Sequence, residues 1–349
     1  MLKLSGCACG IMNMPIILLH LRGKKLLVNM DNYYKYEDVS VLDDANSALD
    51  SEAARLASLI YKHTSQDGTY ASPIHGLYVN RYSQVEAADD VHTMFSPVIC
   101  IAAQGNKRIT VGKDAYEYGA SRMYIAPVAL PVAMKIMQAS PQIPFLGIGL
   151  YLDPQRIASL LPMVFPNGLP EVRNRSACYV IEADLAMMNA AARLMACLSS
   201  PDDAQMLAPL VKDEIYIRIL RSPIGVYVAE TVLAESGMQQ VAKAIDWLQN
   251  NFSQPLKVAD LAELVHMSES SFREYFRSAT AMSPLQYQKV LRLQEARRLM
   301  LSSSIDATTA SRRVGYLSDS QFSRDYSRFF GCPPTRDITR WRQDQQKLK

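Results

Sequence analysis

The stretch SDSQFSRDYSRFFGCPP, residues 318–334, places Phe322 and Tyr326 four positions apart behind a Ser-Asp start and closes on Gly331 and two prolines. Fifty residues upstream, SESSFREYFRSATAMSP (268–284) repeats the pattern: Ser268 matches Ser318, Glu269 matches Asp319, Ser270 matches Ser320, Phe272 matches Phe322, Phe276 matches Tyr326 and Pro284 matches Pro334. In each copy the serine reads as an N-cap for free backbone N–H groups, and the acidic residue behind it suits the positive end of a helix. The aromatic pair at i, i+4 forms one buried stripe. A shorter helical pattern precedes each copy, VADLAELV (258–265) before His266-Met267 and DATTASRRV (306–314) before Gly315-Tyr316-Leu317. Short helix, tight turn and capped helix make a helix-turn-helix unit, and the chain writes it twice, over 258–279 and 306–330.

Between the copies, SPLQYQKVLRLQEARRLM (283–300) reads as one long helix able to bury Leu285, Val290, Leu293, Ala296 and Leu299. Such a spacer sets the distance between the units, and a separation of about 34 Å places both second helices in successive major grooves. A plain helical bundle explains the caps and stripes equally well, so the solvent faces must decide. The first unit presents Ser270, Arg273, Glu274 and Arg277, and the second Ser320, Gln321, Ser323 and Arg324. Small polar residues permit close approach, arginine bonds guanine bidentately and glutamate accepts from cytosine N4. Arg292, Arg312, Arg313 and Arg328 are candidate phosphate contacts. Charge agrees with this reading: residues 238–349 hold 17 Lys+Arg against 11 Asp+Glu, while the remainder holds 20 against 23. A basic module behind a slightly acidic one is expected when only the C-terminal part meets a polyanion.

Residues 240–337 resemble the DNA-binding domain of the AraC/XylS family of bacterial transcription regulators. The resemblance is carried by VADLAELVHMSESSFREYF, SPLQYQ, the RLxxARRLM pattern, VGYxSxSQFSRxYxRFFG and the closing Pro-Pro. It implies that the eight residues named on the two faces read bases. Ala281 departs from the family's usual Gly before Ser-Pro, which strains a helix end that needs φ > 0. Cys332-Pro333 replaces the more usual apolar-Thr.

Upstream the composition is that of an ordinary soluble protein, 49% hydrophobic and 20% charged. Six dispersed cysteines read as reduced cytosolic thiols. The first 45 residues read as an unstructured leader with Met30 as an alternative start, because PIILLHL is too short to span a bilayer. The expected location is therefore cytoplasmic, with no membrane partner. An amphipathic helix is expected over 46–64, short strand-like runs with turn punctuation over 70–150, and helices from about 182. Residues 50–222 resemble the family's N-terminal domain, which implies a cupin-like β-barrel followed by helices that senses a small molecule or mediates association.

The expected fold class is thus α+β: a leader (1–45), a cupin-like domain (46–222), a linker (223–238) and an all-α tandem helix-turn-helix domain (239–349). Tyr78, Met94, Cys100 and Tyr124 are the candidate effector-lining residues, each equally at home in a core. No pair of histidines stands two apart, and no GxSxG, phosphate loop or HExxH is present. These absences argue against an enzyme, a metal or a cofactor, although His75 and His92 leave a cupin-type metalloenzyme as a rival. The function expected is sequence-specific regulation of transcription. Its partners would be double-stranded promoter DNA, RNA polymerase, a small-molecule effector and a second copy of the chain. A regulator whose β-domain only dimerises is the alternative.

Overall fold

A computed structural model describes residues 16–21, 24–29, 37–85, 91–172, 175–303 and 305–347, with side chains between residues 46 and 343. Where an unstructured leader is expected, three short strands pair antiparallel, β1 (Ile16–Leu21), β2 (Lys24–Asn29) and β3 (Glu37–Asp38). The apolar runs IILLHL and KKLLVN are long enough to ladder with each other across residues 22–23, which is how they differ from the sequence reading. Residues 1–15 of that leader lie outside the described residues. Helix α1 (Val39–Lys62) starts earlier than the expected 46.

Ten strands then build the N-terminal domain. They are β4 (Gly68–Ala71), β5 (Leu77–Tyr82), β6 (Val91–Phe95), β7 (Val98–Gln104), β8 (Asn106–Val111), β9 (Asp114–Gly119), β10 (Arg122–Ala126), β11 (Leu130–Gln138), β12 (Phe145–Tyr151) and, after helix α2 (Pro154–Val164), β13 (Tyr179–Glu182). They form a six-stranded sheet, β13-β10-β7-β12-β5-β4, and a four-stranded sheet, β6-β11-β8-β9, both antiparallel. The cupin-like architecture is therefore two separate ladders, an open sandwich in place of a closed barrel. Strand β7 is buried on both faces, which is why VICIAA lacks polar alternation. Ile99, Ile101 and Ala103 join a core with α1 and the helices that follow, while Val98, Cys100 and Ala102 join a second core facing the four-stranded sheet.

The helical segments follow as α3 (Leu185–Ala196), α4 (Pro201–Met206), α5 (Ala208–Leu220), α6 (Gly225–Val232) and α7 (Gly237–Asn251). Within the region expected to be helical from about 182, Leu207 separates α4 from α5, and Pro209 lies in the first turn of α5. The segment expected as linker contains α6, whose Val228 and Ala229 are buried. The C-terminal helices are α8 (Val258–Leu264), α9 (Glu269–Thr280), α10 (Pro284–Ser302), α11 (Ala307–Arg313), α12 (Asp319–Phe330) and α13 (Pro334–Lys347). The second core does not stop at the sandwich. It runs from Cys100, Tyr124 and Val132 into Val241, Leu261, Phe272, Phe276 and Tyr287.

Candidate nucleic-acid interface

Both units are assembled from the features that define them in sequence. Ser268 Oγ accepts from the Ser271 N–H at 3.2 Å, and Ser318 Oγ from the Gln321 N–H at 3.3 Å. Behind the caps, the Phe272–Phe276 and Phe322–Tyr326 ring pairs each lie 5.5 Å apart, and all four rings are buried. Tyr326 donates to Asp337 Oδ2 at 2.6 Å, and Arg297 grips the same carboxylate at 2.8 and 2.9 Å, which ties α12 to α10 and α13. With the aromatic stripe turned inward, the opposite face is solvent-facing by geometry. Ser270, Arg273, Glu274 and Arg277 on α9 are exposed, as are Ser320, Gln321, Ser323 and Arg324 on α12. Arg273 pairs along its own helix with Glu269, whereas Arg277 and Arg324 make no ion pair among the described residues.

The four arginines expected at phosphates divide. Arg312 and Arg313 at the end of α11 and Arg328 on α12 are exposed. Arg292 has a different occupation. Its Nε donates to Phe252 O at 2.7 Å, its Nη1 to Gly315 O at 3.0 Å, and its Nη2 to Ser253 O and Gln254 O at 3.2 and 2.9 Å. Gln288 joins it on Phe252 O and Gln254 O. Together they stitch the loop after α7 to α10 and to the turn of the second unit, and burial lowers the Arg292 guanidinium from its ordinary value. No sequence signal marked this role, because the carbonyls lie 23 to 40 residues away along the chain.

Among the effector candidates, Cys100 and Tyr124 meet inside the sandwich, directly opposite each other in the β7–β10 register. The Tyr124 hydroxyl lies 2.7 Å from Cys178 Sγ, and its ring stacks on Tyr118 at 5.7 Å. Burial pushes the Cys100 thiol up to about 11 and the Cys178 thiol up to about 12, so both rest as neutral thiols. Tyr78 sits at half-burial on β5 against the Tyr151 ring, 4.7 Å away, and Met94 packs at the edge of the second core. The sequence reading missed Tyr118, Cys178 and Lys107. Lys107 is only 4% exposed, with its ammonium 5.6 Å from the Tyr82 and Phe145 ring centres. A surface groove of about 690 Å³ lies elsewhere, between α1, α3 and α5 around Arg193, Glu214 and Arg218.

Sheet and helices meet along a continuous seam. The buried Tyr287 hydroxyl donates to Ala129 O at 2.9 Å, and Gln294 Nε2 donates to Thr93 O at 3.2 Å. The His92 ring lies tilted against Phe329 at 4.6 Å and meets Phe330 edge-on at 5.0 Å, at the C-terminal end of α12. Arg175 bonds Glu230 bidentately at 2.9 and 2.7 Å and lies 5.0 Å over the Tyr275 ring of α9. His92 thus packs against phenylalanines, and His75 lends its carbonyl to Lys212 at 2.9 Å. Among the described residues no group of three His, Cys, Asp or Glu side chains is arranged to hold a metal, and no helix is long and apolar enough to cross a membrane.

Residues 73–227 match the model of the AraC-type transcriptional regulator N-terminus, and residues 261–340 match a helix-turn-helix domain model. The chain is similar to RclR, an RCS-specific HTH-type transcriptional activator of Escherichia coli, at 36% identity over 22% of this chain and 27% of that protein. It is 25% identical to the HTH-type transcriptional activator RhaS of Pectobacterium atrosepticum over 53% of this chain and 66% of that one. Over three of the curated relatives it matches, the aligned stretch spans 27% to 47% of the relative's own length. A crystal structure of ToxT from Vibrio cholerae superposes with a TM-score of 0.49 at 12% identity, covering 76% of this chain and 98% of that one. The relatives bear the names of transcription regulators, not of enzymes.

Proposed function

The chain belongs to the AraC family of transcription regulators, and from that premise we propose that it is a sequence-specific regulator whose α9 and α12 read two major grooves of promoter DNA. The observation that carries this reading is the pair of exposed faces, Ser270/Arg273/Glu274/Arg277 and Ser320/Gln321/Ser323/Arg324, on helices whose backs are buried in the same way. Arg312 and Arg313 at the end of α11, and Arg328 one turn beyond Arg324 on α12, act as phosphate contacts that orient the protein on the duplex. RNA polymerase is the second macromolecular partner of such an activator.

The N-terminal domain acts as the sensor. Its sandwich interior, with Cys100, Tyr118 and Tyr124, and its seam with α10 and α12 belong to one packed core. A ligand that shifts the four-stranded sheet therefore shifts both reading heads. Dimerisation is favoured by a separate observation: Met206, Leu207 and Leu210, on and between α4 and α5, are exposed at 70%, 47% and 64%.

Mapping the DNA bound by the full chain across the source genome tests the premise, and binding that does not weaken steeply with salt would sink it. A thermal-shift screen with small metabolites tests the sensor, since a ligand of the native state raises the melting midpoint. Dimerisation without any such ligand would leave association as the domain's sole role.

A further inference from the structure

The two turns differ by one residue, and the extra residue is Leu317. In the first unit the left-handed residue His266 is followed by Met267 and then by the cap Ser268. In the second, the left-handed Gly315 is followed by Tyr316 and Leu317 before the cap Ser318. The hydrogen bonds fix the correspondence: the Met267 N–H donates to Ala262 O and the Tyr316 N–H to Ser311 O, each at 2.9 Å. Met267 and Tyr316 both turn inward onto the core, so Leu317 has no counterpart.

Leu317 is also held where it stands. Gly315 O is fixed by Arg292, the Tyr316 ring is buried edge-on against Phe322 at 5.2 Å, and Ser318 caps α12. Between these anchors the leucine side chain is fully exposed, at 105% of its reference area. Ser320 and Gln321 follow one turn further along the chain and Arg324 two turns, with Arg312 and Arg313 exposed on the preceding helix. A leucine cannot bond any donor or acceptor in this polar, basic setting. The apolar group that a base edge presents in the major groove is the thymine C5-methyl.

We propose that Leu317 is a base-reading residue of the second unit, contacting a thymine methyl beside the bases met by Ser320 and Gln321. The inference rests on the reading of α12 as a groove-inserted helix. Its partner is DNA because the surrounding exposed side chains are the polar and cationic set that faces a duplex, and polymerase is the competing occupant.

The test selects sites from a random DNA library with the full-length wild type and with Leu317→Ala, then replaces each selected thymine with uracil. The wild type should show one thymine whose uracil replacement weakens binding about fourfold, the loss of one buried methyl. Leu317→Ala should lose that preference and that uracil penalty, keep every other base preference, and melt at the wild-type temperature. A Leu317→Ala protein that keeps the same penalty, or a wild type indifferent to uracil everywhere, would overturn the inference while leaving the DNA-reading premise intact. A wild type that selects no sequence would overturn both.

Discussion

In the first helix-turn-helix unit the left-handed turn residue is His266 and the left-handed helix stop is Ala281; in the second both positions are glycines, Gly315 and Gly331. The φ angles are alike, +56° and +57° against +86° and +78°, so the backbone asks the same of each unit. What differs is the surroundings. A Cβ on Gly315 would lie 2.0 Å from Ser253 O, whereas one on Gly331 would meet nothing within 4 Å. One glycine is therefore required by a neighbouring backbone and the other only by its own torsion. In the first unit His266 and Ala281 tolerate the same torsion as strained non-glycine residues.

Five substitutions test this contrast, from the strongest effect to the weakest. Gly315→Ala adds a clash with immovable backbone to left-handed strain and should cost roughly 3–5 kcal/mol, read by denaturant melts and by loss of amide protection in α11 and α12. A loss under ~1 kcal/mol would show that the loop around Ser253 yields. Arg292→Ala strands carbonyls on both sides of the stitch and should cost about 2–4 kcal/mol of stability. It should leave the salt dependence of DNA binding unchanged, whereas removal of a true phosphate contact lowers the slope by about one. Arg324→Ala reverses that profile: stability should hold, while affinity for the cognate site falls by about 1–3 kcal/mol with relaxed preference at one base pair. Equal losses on cognate and scrambled DNA would make Arg324 a phosphate contact. The helix stops close the series. Gly331→Ala should cost ~1 kcal/mol and Ala281→Gly should gain up to ~1 kcal/mol, measured as opposite small shifts of the melting midpoint. Shifts of the same sign would mean the two stops are not equivalent.

The two units were legible in sequence because their information is local: a cap, a stripe at i, i+4 and a stop all fall within 17 residues. Ala281 stood out for the same reason, and its φ of +57° is the strain that its departure from glycine implied. Arg292 was misleading because its partners at 252–254 and 315 come together only in three dimensions. In the β-domain, class was legible but face was not. Tyr124 and Cys100 share the sandwich interior through their register, while Cys178 reaches Tyr124 from 54 positions away across β13's approach loop. No strand read singly contains that pairing. The eight reading-face residues remain a proposal, resting on the buried stripe that turns them outward.

The seam under Tyr287 also bears on how the protein is made. Ala129 and His92 leave the ribosome about 160 to 240 residues before Tyr287 and Phe329 arrive to cover them. At the elongation rates of ~5–20 residues per second, the nascent sandwich waits on the order of ten seconds or longer with that flank bare. A chain that stops short of α10 would carry the same flank permanently, so premature termination should yield sticky fragments rather than a free-standing sensor.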